Sequence, residues 1–118
     1  MSNGTNFNLE ERTFLFAKSI RAYCKMLTHN IINIPDIKQV IRSSGSVSAN
    51  YIEANESLSK ADFVYRIKVC RKEAKETRLW LNLIDIDDQK ELEPTKSLLV
   101  SEANQLMLIF NAIIKKSQ

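Results

Sequence analysis

Glycine and proline each occur only twice in this 118-residue chain. So few turn formers exclude a sandwich or barrel of short strands, which needs a turn signal about every 8–12 residues. The elements must be few and long, which favours helices. Two cysteines, Cys24 and Cys70, are too few for a disulfide framework and lack metal-site spacing. The single histidine, His29, has no cysteine or carboxylate at ligand spacing. No apolar run approaches the roughly 18 residues of a membrane span. The polar start, Met1–Asn8, lacks the basic and apolar regions of a signal peptide. Also missing are a glycine-rich phosphate loop, H-E-x-x-H, a nucleophile motif and the Glu-x-x-His pairs of di-metal bundles. The expectation is therefore no catalytic residue, no cofactor, no metal, no membrane and no small-molecule substrate. Both cysteines fall on apolar helix faces and read as buried hydrophobes in a reducing, cytoplasmic compartment.

What is present is helical periodicity. Charged residues at 26% and apolar ones at 44% place the chain among globular proteins. Thr13, Ala17, Ile20, Cys24 and Leu27 recur at alternating steps of 4 and 3, which predicts a helix over about 9–28. Val40, Ser44, Val47, Tyr51, Ala54 and Leu58 predict a second over about 35–58, with Pro35 in its first turn. Its centre is small and helix-averse (Ser43, Ser44, Gly45, Ser46), but the period runs through, and small residues let a neighbour approach closely. Ser59 and Asp62 make an imperfect capping box for a third helix over about 60–86. That helix carries Phe63, Ile67, Cys70, Ala74, Thr77, Leu81 and Ile84 as its core stripe. Pro94 opens a fourth over about 94–116, with Leu99, Ala103, Leu106, Phe110 and Ile113 inward. Short connections and 3-4 spacing predict an all-α, single-domain, antiparallel up-down-up-down four-helix bundle with no acidic residue in its core stripes.

Apolar surface is left over. Val100, Met107 and Ile114 make a second stripe on the fourth helix, and Val69, Trp80 and Leu83 share a face of the third. A helix that is apolar all round is normally buried all round. These six residues are the candidate interface of a homo-oligomer; the alternative is that Trp80 and Met107 cap the ends of the core.

Charge is unevenly distributed. Lys60–Arg78 holds seven basic and three acidic residues, whereas Asp85–Glu93 holds five acidic and one basic. Lys68, Arg71, Lys75 and Arg78 recur at 3, 4 and 3, with Lys72 beside them. Such a row costs a few tenths of a kcal/mol per like-charge pair, so something should offset it. One reading is the phosphate backbone of RNA or DNA. The other is neutralisation by Glu53 and Glu56 or by Glu73 and Glu76, with Lys72 and Glu76 spaced as a helical pair. No aromatic residue interleaves with the row, so stacking on single strands is not expected.

Two stretches carry a resemblance: Ser46–Glu56 (SVSANYIEANE) and Lys60–Ile84 (KADFVYRIKVCRKEAKETRLWLNLI). They resemble the signature of the four-helix-bundle proteins associated with intervening sequences of 23S rRNA genes, also called S23 ribosomal proteins. The likeness covers nearly the whole chain and is specific in the second and third helices. Ser48 departs from it, since glycine is expected before the Ala-Asn pair. The resemblance implies an up-down bundle, a homopentamer and no enzymatic activity, encoded within or near insertions in ribosomal RNA genes. A related branch serves diversity-generating retroelements as an accessory protein that binds nucleic acid and a reverse transcriptase. A protein-interaction scaffold or accessory role of that kind is the alternative expectation.

Overall fold

The structure is a computed structural model that describes residues 8–118. Four helices account for most of it: α1 Leu9–Met26, α2 Asn33–Asn55, α3 Lys60–Leu83 and α4 Glu93–Ser117. A short 3-10 turn, Lys90–Leu92, leads into α4, and no strand occurs among the described residues. Local chemistry sets the starts. Asn8 accepts from the Glu11 N–H, and Ser59 accepts from the Asp62 N–H at 3.0 Å, as the capping pattern predicts. Asn30 serves α2 in the same way, its Oδ1 accepting from the Asn33 N–H at 2.8 Å.

The helix ends differ from expectation in one consequential place. α2 stops at Asn55, and a turn in which the Glu56 and Ser57 N–H groups donate to the Glu53 and Ala54 carbonyls follows. Leu58, expected in the core, lies past that turn and is fully exposed. α3 ends at Leu83, yet Ile84 and Ile86 stay buried as the chain passes under the end of the bundle. In α4 the buried stripe runs Leu99, Ala103, Leu106, Phe110 and Ile114. Ile114 takes the core place expected of Ile113 because a straight helix, at 3.6 residues per turn, drifts away from a strict heptad. This moves Ile114 out of the candidate oligomer interface.

Packing is sequential and antiparallel. α3 packs most intimately, against α2 on one side and α4 on the other, while α1 and α4 meet least closely. The small centre of α2 makes the first of these contacts possible. Ser43 and Ser44 are wholly buried, and the Ser43 and Thr77 hydroxyls lie 2.8 Å apart. Thr77 gives its proton to the Glu73 carbonyl, so Ser43 must be the donor to Thr77. Where α1 approaches α4, the Arg12 guanidinium meets the Glu102 carboxylate through two 2.8 Å hydrogen bonds. That carboxylate raises the Arg12 pKa further. Across the bundle the Tyr51 and Phe110 rings sit 6.4 Å apart, tilted by 38°. By length and composition, the continuous segment Lys90–Ser117 is long and apolar enough to cross a membrane. It contains no long unbroken apolar run, the longest being Leu106–Phe110, and its buried stripe is packed inside the bundle.

One buried amide ties the two loops at the same end of the molecule. Asn33 is wholly buried; its Nδ2 donates to the carbonyls of Thr28 and Asp85, and its Oδ1 accepts from the Asp85 N–H at 2.9 Å. Gln89 adds a second stitch, accepting from the Thr28 N–H and donating to the Met26 carbonyl, both at 2.7 Å. Replacing Asn33 with leucine orphans several buried backbone groups at once. The expected cost is about 2–3 kcal/mol of stability, read as a lower urea midpoint, against little change for the exposed Asn82→Leu.

Candidate nucleic-acid interface

The surface of α3 is divided by its neighbours. Its α2 flank carries Arg66, Val69, Glu73, Glu76 and Trp80 at 3-4 steps. Arg66 donates to Asn50 Oδ1 at 3.1 Å, and Arg42 of α2 reaches Glu73 and Glu76 at 3.4 and 3.3 Å. Glu73 is buried on this flank, beside the core stripe, which itself holds no acidic residue. Arg42 sits beside it because α2 and α3 lie in contact there.

The α4 flank is a clasp. Arg71 donates to Asn111 Oδ1 at 2.8 Å, and Arg78 donates to Asn104 Oδ1 at 2.7 Å. Each pair is seven residues apart on its own helix, so two turns of α3 run in register with two turns of α4. The asparagines fill the gaps between Val100, Met107 and Ile114 at steps of 4 and 3. That stripe therefore faces α3 inside the subunit. Val100 and Met107 pack against the core as half-buried residues, and Ile114 belongs to it.

Between these flanks a stripe faces outward: Tyr65, Lys68, Lys72, Lys75 and Leu79, again at 3-4 spacing, and all are exposed. The predicted row thus splits in two. Arg71 and Arg78 are half-buried and held by asparagines, while the three lysines reach solvent. Lys72 approaches Glu73 at 4.0 Å, the outer limit of an ion pair. Among the described residues, no ion pair joins Lys68 or Lys75, and none joins Lys72 to Glu76. The expected neutralisation by Glu73 and Glu76 is mostly pre-empted, because Arg42 already holds both carboxylates. A shallow cavity of about 480 Å³, lined by Lys72, Lys75, Glu76, Arg78, Leu79 and Asn82, marks the lower half of the stripe.

The six candidate interface residues do not share one face. Val69 and Trp80 lie on the α2 flank; Trp80 packs against the core with its indole N–H buried and without a hydrogen-bond partner. Leu83 is half exposed at the end of α3. Larger exposed apolar side chains lie elsewhere, at Leu98, Leu108, Phe14 and Leu15.

Little reactive chemistry is on offer. Burial pushes the Cys24 thiol up to about 11 and the Cys70 thiol up to about 12, so neither is a ready nucleophile. His29 places Nε2 2.9 Å from the Cys24 carbonyl at the end of α1. Among the described residues, no three His, Cys, Asp or Glu side chains converge as a metal site.

A model of the 23S rRNA-intervening sequence protein family matches residues 6–110. The chain belongs to that family. A crystal structure from Bacteroides thetaiotaomicron VPI-5482, described as a protein of unknown function from the S23 ribosomal protein family, has the same fold. It is 27% identical, with a TM-score of 0.77, and the match covers 90% of this chain and 97% of that one. Among curated proteins, none matches. For this intervening-sequence protein the resemblance read in α2 and α3 is thereby upheld.

Sequence reasoning missed three features of this surface. Tyr65 stands three residues before Lys68 on the outward stripe, so an aromatic does adjoin the row, and its position was readable from spacing alone. The asparagine clasp and the Arg42 clamp had no such signal, since each depends on which helix lies alongside. Replacing Asn104 and Asn111 together with alanine leaves Arg71 and Arg78 without their acceptors. Stability should fall by about 1–3 kcal/mol in urea titration with the helix content unchanged; an unaltered midpoint would remove the clasp from the account.

Proposed function

We propose that this chain is a non-enzymatic, self-associating member of the family that binds RNA through the outward stripe of α3. Lys68, Lys72 and Lys75 meet phosphates, and Arg71 and Arg78 flank them from the clasp. The supporting observation is the lysine stripe itself: three cations on one face, whose nearest carboxylates are engaged by Arg42. Lysine suits this task as a mobile point charge, whereas the planar guanidinium of arginine suits the fixed internal bridges. The family name, with its link to 23S rRNA, makes ribosomal RNA fragments the first ligands to try.

Binding of structured rRNA fragments is expected to weaken steeply with salt. The triple change Lys68→Glu, Lys72→Glu and Lys75→Glu should flatten the slope of log K against log salt by about 2 to 3. Binding that ignores salt, or survives the triple change, overturns the assignment.

Self-association is supported by the apolar side chains the single bundle leaves outside: Leu98 is 72% exposed and Leu108 71%. With the pentamer that the resemblance implies, light scattering should give about five times the 13.6 kDa of one chain. A mass of one chain rejects assembly.

A scaffold role has one specific observation in its favour. A cavity of about 440 Å³ between α1 and α2 is lined by apolar Phe14, Ala17, Ala49 and Ile52 together with Gly45 and Ser48. Lys18 and Arg21 stand beside it. That surface would suit an acidic, amphipathic protein segment.

A further inference from the structure

At the start of α3, beyond the lysines, the outward stripe ends in a cavity of about 570 Å³. Lys60, Ala61, Val64, Tyr65, Lys68 and Ser117 line it, so it lies where the first turns of α3 meet the last turn of α4. It is a shallow depression, open to solvent. Among the described residues, the charged side chains in the lining are two lysines, Lys60 and Lys68. The ligand that fits is therefore an anion.

Tyr65 sets a second requirement. Its ring is 59% exposed. The Arg66 guanidinium lies over the ring at 5.7 Å from its centre and is itself held by Asn50 Oδ1 at 3.1 Å. Arg66 thus stands over the ring, and the residue as a whole keeps more than half of its surface open to solvent. An exposed aromatic face between two lysines matches a flat group attached to a phosphate. Continuing from it, Lys68, Lys72 and Lys75 follow the same stripe for roughly 10 Å of helix.

We propose that this cavity holds one unpaired nucleotide, its base stacked on Tyr65 and its phosphates between Lys60 and Lys68. The adjoining strand then follows Lys72 and Lys75. This rests on the reading of α3 as a nucleic-acid interface and adds to it a preference for single-stranded segments, because a base inside a duplex cannot reach the ring. Stacking of this kind is tolerant of sequence, since every base has a flat face.

Fluorescence anisotropy with the full chain tests it, using one labelled single-stranded RNA oligonucleotide, the same sequence as DNA, and the RNA duplex. Tyr65→Ala should weaken single-strand binding roughly 5- to 150-fold, leave duplex binding and the salt slope unchanged, and leave the urea midpoint unchanged. Tyr65→Phe should bind like the native chain. Equal loss on RNA and DNA strands assigns the pocket to base and phosphate; loss on RNA alone assigns the ribose to it as well. If Tyr65→Ala binds the single strand as tightly as the native chain while the triple lysine change abolishes binding, the pocket is wrong and the interface stands. If the native chain binds none of the three, both are overturned.

Discussion

A helix wedged between two others keeps only a narrow strip of its circumference for solvent, and α3 is wedged along its whole length. Towards α2 it is held by the Ser43–Thr77 hydroxyl pair, by Arg66 on Asn50 and by Arg42 on two glutamates. Towards α4 it is held by two arginine–asparagine bonds in register. The surface α3 shows to the outside is whatever these two seams do not consume. Along the middle of the helix that remainder is a tyrosine and three lysines, followed by a leucine. The candidate function of the protein is thus a consequence of how its third helix is packed.

The same seams settle where charge is free. Arg42 of α2 and Arg66, Arg71, Glu73, Glu76 and Arg78 of α3 find partners across helix contacts, where partial burial strengthens a hydrogen-bonded pair. Arg12 and Glu102 do the same between α1 and α4, where the helices otherwise touch least. Lysines remain on the rim, where their repulsion is small and only the distant Lys72–Glu73 contact offsets it among the described residues. A basic surface built this way carries its positive charge on flexible stems above a rigid, hydrogen-bonded base. Such a surface can follow an irregular phosphate backbone without disturbing the bundle.

Much of the fold was legible from spacing. The 3-4 stripes of α1 and α3, the Ser59 cap and the two prolines of the first turns appear where the pattern placed them. Leu58 and Ile113 were misplaced because a stripe does not say where a helix stops or how far it drifts. The candidate interface fared least well, since Val100, Met107 and Ile114 look surplus until α3 is seen lying against them. An apolar stripe in sequence does not distinguish a contact with a neighbour in the same subunit from a contact with another copy.

Sequence alone determined the number of helices, their antiparallel order and most of the core, because these follow from a periodicity local to each helix. It also determined that the third helix is rich in positive charge. Tertiary structure decided which of those charges are free, since pairing depends on the side chain that the neighbouring helix brings alongside. Arg71 and Arg78 are bound to α4 and Glu73 and Glu76 to α2, leaving Lys68, Lys72 and Lys75 facing water beside Tyr65.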